Sequence, residues 1–149
     1  MTHTERNTLI AILINLGIIY VFGSRLWDLH QSGAFAAADG LAVWAKAVLW
    51  MIPVSIGATI IGTILFEILY AIATNNPNPE TITDERDHQI SNFGMKVTIV
   101  VASAGFIGAL IGLAYGWSAV GALSLILAGY ALGDLIGNLA RMARYRAWL

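Results

Sequence analysis

Glu67, Lys96 and Asp134 are ionisable residues embedded at the margins of long apolar runs, and their spacing suggests a shared site. Glu67 precedes Thr74, the expected end of one run, by seven residues, and Asp134 precedes Arg141 by the same interval. On helices rising 1.5 Å per residue, both would sit about 10 Å inside the same membrane boundary. Lys96 enters its own run from that side, and Asn138 follows Asp134 by one turn on the same face. Ionisable groups at such depth cost about 3 kcal/mol on insertion scales, so they usually face one another or water. One lysine between two acids leaves a surplus negative charge, which a proton or cation could take up. A shared site requires Glu67 and Asp134 substitutions to be non-additive. The competing reading has water reaching both acids from the headgroups while Lys96 snorkels. Asn15 and Tyr70 read as packing or interface residues.

A second cluster is "ITDERDHQI", residues 82–90. Thr81 or Thr83 can cap a helix there, with Asp84, Glu85 and Asp87 in its first turn, where acids meet unpaired N–H groups and the positive dipole end. Ile90, Phe93 and Val97 follow at helical spacing. Beyond helix initiation, Asp84, Glu85, Arg86 and Asp87 form a charged docking face for a partner, since exposed charges set specificity more than affinity. Asp84, Asp87 and His88 share a face as a weak candidate metal set. With no cysteine, no clustered histidines, no phosphate loop and no nucleophile–base pair, neither an enzyme nor a bound cofactor is expected. A net charge of -1 and no clustered basic face argue against direct nucleic-acid binding.

The elements that position these residues follow from where charge is missing. Hydrophobic residues make up 58% of the 149 and charged ones 11%, with mean hydropathy +0.72, far from a water-soluble composition. Eighteen uncharged residues separate Arg6 from Arg25, 20 separate Lys46 from Glu67, and 37 separate Lys96 from Asp134. About 20 helical residues cross a bilayer, and crossing segments must satisfy their backbones internally. The expectation is an all-α, single-domain membrane bundle of four transmembrane helices, at about 8–27, 42–74, 84–115 and 118–141. Pro53 should loosen the second helix, and "NNPNP" in the 75–83 loop should end it. A signal peptide competes for the first segment, because Arg6, an apolar run and "AFAAADG" imitate its parts. Arg25 and Asp28 intervene before those small residues, which favours an uncleaved helix. Arg6, Arg86, Lys96, Arg141, Arg144 and Arg146 fall on one side, against Arg25 and Lys46 on the other. The positive-inside rule then places both termini and the 75–83 loop in the cytoplasm.

Two glycine ladders address helix packing: Gly108, Gly112 and Gly116, extended back by Ala104, and Gly129, Gly133 and Gly137. Four-residue spacing aligns each on one face, where small residues let membrane helices approach closely. The two ladders fall in opposite halves of the bilayer, so at least one is expected to meet another helix, near Gly57 and Gly62, or a second protomer of a homo-oligomer.

The stretch "DERDHQISNFGMKV", residues 84–97, resembles the signature of a group of small, largely uncharacterised bacterial four-helix membrane proteins with a DERD turn between the second and third helices. Ile90 and Gly94 fit the apolar and small positions after the turn, and the layout matches over roughly residues 45–135. Family members often carry more arginines after the motif, where this chain has Asn92 and Phe93. The resemblance implies the bacterial cytoplasmic (inner) membrane and, for some members, association with transcription regulators. It supplies no reaction. The functional expectation is a regulatory or scaffolding membrane protein docking a cytosolic or membrane-complex partner through its acidic collar. The alternative is a proton- or cation-coupled small transporter or channel, oligomeric because four helices leave little room for a private pathway.

Overall fold

The computed structural model describes residues 3–74 and 84–146, and they form four helices. These are α1 (His3–Gln31), α2 (Gly40–Thr74), α3 (Glu85–Ala114) and α4 (Ala119–Arg146). All four are long and apolar enough to cross a bilayer. Each begins or ends within a few residues of the expected limits except α1 and α4, which run further into polar sequence at their outer ends. The 75–83 loop, including "NNPNP", Thr81 and Thr83, lies outside the described residues. Helix α2 continues unbroken through Pro53.

The helices run antiparallel in sequence order. Arg6 of α1 meets Glu67 of α2, Asn15 of α1 meets Asp134 of α4, and Asp87 of α3 meets Tyr145 of α4. The start of α1, end of α2, start of α3 and end of α4 therefore share one end of the bundle. At the other end the Trp44 indole donates to Ser124 Oγ at 2.9 Å, fixing the start of α2 beside α4.

The tightest pair is α3 with α4, and its closeness comes from missing side chains. A Cβ on Gly129 would come within 2.9 Å of the Gly105 Cα, and one on Gly133 within 2.8 Å of the Thr98 carbonyl oxygen. Gly137 lies against the Gly94 carbonyl and the Thr98 hydroxyl. The α4 ladder thus packs on α3, through Gly94, Thr98, Ala102 and Gly105. The α3 ladder does not serve as a matching face. Gly108 faces the Leu125 side chain, and Ala104 is exposed. Gly112 is covered by the Trp117 ring, and Gly116 is the turn residue, with φ +85°. Trp117 N–H bonds Gly112 O at 2.9 Å and Gly116 N–H bonds Leu113 O at 3.0 Å, the paired bonds of a Schellman stop. The left-handed conformation at Gly116 favours glycine, and Gly112 leaves space for the indole folding back over it.

Helix α2 packs mainly on α1, and its most apolar window has no buried residues. Trp50 is 71% exposed and Ile72 73% exposed. A soluble domain rarely shows so large a contiguous apolar surface, whereas lipid-facing helices do.

Candidate functional site

The structure separates the charges that sequence spacing grouped. Arg6 Nε donates to Glu67 Oε1 at 3.0 Å, and the arginine side chain is only 2% exposed. Its guanidinium also lies over the Tyr70 ring, 4.5 Å from the centroid. Glu67 is therefore balanced by Arg6, not by Lys96. Lys96 is exposed and makes no ion pair or hydrogen bond among the described residues. Asp134 instead accepts from Asn15 Nδ2 at 2.6 Å. Asn15 follows Arg6 by nine residues on α1, about 13 Å of axial rise. Glu67 and Asp134 thus address different levels of α1 and do not form one cluster. The offsets that spacing made equal are not equal in the structure, because α4 continues to Arg146 and leaves Asp134 12 residues from its end, against seven for Glu67 in α2. Asn138 is 3% exposed and takes its bond from Arg141 Nη1 at 3.0 Å, away from the cleft that Asp134 lines.

That cleft, of about 370 Å³, opens between α1, α2 and α4. Its polar lining comprises Asn7, Asn15, Thr59, Thr63 and Asp134, set among isoleucines such as Ile10 and Ile14. Asp134 carries no ion pair among the described residues, and Asn15 Oδ1 is enclosed without a hydrogen-bond donor. Thr59 donates its hydroxyl proton to Ser55 O at 2.8 Å, so its lone pairs remain for a ligand. An uncompensated carboxylate beside amide and hydroxyl oxygens is a donor set for a hard monovalent cation or a proton. Asn15 reads from the sequence as a packing residue, although an asparagine midway along an 18-residue uncharged run is the available signal.

The acidic turn is shaped by its own helix. Asp84, not Thr81 or Thr83, is the N-cap: its Oδ1 accepts from Asp87 N–H at 2.8 Å, and Asp87 Oδ2 accepts from Asp84 N–H at 3.4 Å, a reciprocal capping box. Asp87 is 3% exposed, and its Oδ1 accepts from the Tyr145 hydroxyl at 2.6 Å. The guanidinium of Arg144 lies over Phe93, 4.6 Å from the ring centroid. The start of α3 and the end of α4 are thereby fastened together, with acids at one helix's N-terminus beside bases at the other's C-terminus. Asp87 is consequently withdrawn from the expected docking face, while Asp84, Glu85, Arg86 and His88 remain exposed. Asp84, Asp87 and His88 do not form a metal-binding group, and no group of three such ligands occurs among the described residues. Both carboxylates are already engaged by the cap and the tyrosine.

Replacing Tyr145 with Phe removes a bond to a buried carboxylate while keeping the ring. Stability should fall by about 1.5–3 kcal/mol. Hydrogen exchange should accelerate across residues 85–90 and stay unchanged around Gly105 and Gly129. Uniform exchange rates in both regions would show that the fastening is not local.

No family model matches the chain, and no curated protein or solved structure is significantly similar to it.

Proposed function

We propose that this chain is a regulatory or scaffolding protein of the bacterial cytoplasmic membrane, docking a partner through the exposed charges at the start of α3. The observation that carries this reading is the Asp87–Tyr145 bond. It turns a lone helix start into a platform of two helices, from which Glu85, Arg86 and His88 project without the entropy cost of ordering a loop. Cytoplasmic orientation rests on the excess of Lys and Arg at that end, and the bacterial assignment on the resemblance of residues 84–97. A photo-crosslinking side chain at position 85 or 88 should trap one discrete partner in cells. A Glu85→Gln/Arg86→Gln/His88→Asn variant, equally abundant and folded, should lose that partner by at least about tenfold. Unchanged trapping would sink the docking reading.

A second reading, cation- or proton-coupled movement through the membrane, is favoured by Asp134 and Asn15 in their polar cleft. Flux into liposomes that disappears in Asp134→Asn, with the Glu85/Arg86/His88 variant unaffected, would select it. Lys96→Gln should leave such flux intact, because Lys96 does not reach the cleft.

A further inference from the structure

We infer that the cleft between α1 and α2 at the end of the bundle opposite the chain termini binds the phosphate of an anionic phospholipid, through Arg25 and Lys46. Among the described residues the two are the only Lys or Arg at that end, and both line one cleft of about 400 Å³. Arg25 stands six residues before the end of α1 and Lys46 six after the start of α2. In antiparallel helices this sets both about 9 Å inside the helix ends, at one level. Neither makes an ion pair or hydrogen bond among the described residues, although Asp28 and Asp39 lie at the same end. Neither acid lines the cleft. The guanidinium fork and the ammonium therefore present unused donors toward one space, the arrangement suited to a phosphodiester oxygen pair.

The rest of the wall specifies a lipid. Phe22, Leu26, Val43, Trp50 and Met51 surround the two cations with apolar surface. Trp50 is 71% exposed, so the cleft opens to the side of the bundle, where an acyl chain would run. Its indole suits the boundary between headgroups and hydrocarbon. A soluble phosphate could satisfy the charges but would leave this surface uncovered. The inference rests on the helices crossing a bilayer and is independent of docking at the other end.

Native mass spectrometry of the intact protein in mild detergent, titrated with phosphatidylglycerol, phosphatidylcholine and glycerol 3-phosphate, tests it. Phosphatidylglycerol should bind in preference to phosphatidylcholine. Each of Arg25→Gln and Lys46→Gln should weaken it about fivefold, as expected for one cation near an anionic headgroup. The double variant should bind the two lipids equally. The charge-keeping exchange Arg25→Lys/Lys46→Arg should retain the preference, as should Lys96→Gln at the other end. A preference that survives the double variant, or is absent in the unaltered protein, overturns the site. Displacement of the lipid by equimolar glycerol 3-phosphate overturns the assignment to lipid.

Discussion

Gly133→Val is expected to destabilise the protein by about 2–3 kcal/mol or more, while Gly57→Val should change it little. The contrast follows from what each new side chain meets. At Gly133 even a Cβ would lie 2.8 Å from a backbone carbonyl oxygen of α3, which can move only if the helix moves. At Gly57 there is nothing within 4 Å. Intrinsic propensity works the other way, because valine holds a helix better than glycine, so an effect of propensity alone would stabilise both variants. Gly129→Val should resemble Gly133→Val, since its clash is with the Gly105 backbone. Because both substitutions force the same two helices apart, their combination should cost less than the sum. Denaturation in detergent or bicelles measures all of these. Equal stabilities for Gly57→Val and Gly133→Val would overturn the close α3–α4 contact.

Glu67→Gln is expected to lower stability by about 3 kcal/mol, because it strands the Arg6 guanidinium at 2% exposure. Removing both charges in Arg6→Leu/Glu67→Leu should recover most of that loss, as buried ion pairs often exchange for apolar pairs at little cost. The strong coupling in a double-mutant cycle should therefore join Glu67 to Arg6. Between Glu67→Gln and Asp134→Asn the effects should add within about 0.5 kcal/mol, since the two acids have no shared partner. Coupling between Glu67 and Asp134 larger than that between Glu67 and Arg6 would restore the charge cluster that spacing suggested.

The number of helices was legible because it depends only on where charges are absent. Partnership was not, because it depends on how each helix is rotated and how far it projects. Arg6 looked like a water-facing marker at the edge of an apolar run, yet extension of α1 to His3 brings it inside the bundle against Glu67. The α4 glycines were visible at strict four-residue spacing. Their counterpart on α3 is a mixed series of small residues, Gly94, Thr98, Ala102 and Gly105, in steps of four, four and three. Counting glycines alone selected Gly108, Gly112 and Gly116 instead, two of which serve the turn. In the acidic stretch, a helix start with Glu85 and Asp87 in its first turn was readable locally, although the cap is Asp84 and not Thr81 or Thr83. Burial of Asp87 was not, because Tyr145 lies 58 residues away and nothing local announces it.

Helix α2 is secured at two heights, by Trp44 to α4 and by Glu67 to α1. These residues are 23 positions apart, about 34 Å along a helix, close to the roughly 30 Å hydrocarbon thickness of a bilayer. Sliding the whole helix would break both attachments together. In a bilayer, a hydrophobic mismatch would therefore be taken up between them, where Pro53 lacks an N–H and Gly57 has no close neighbour. A helix held in this way would meet a change of membrane thickness by flexing at mid-span while its ends stay in register.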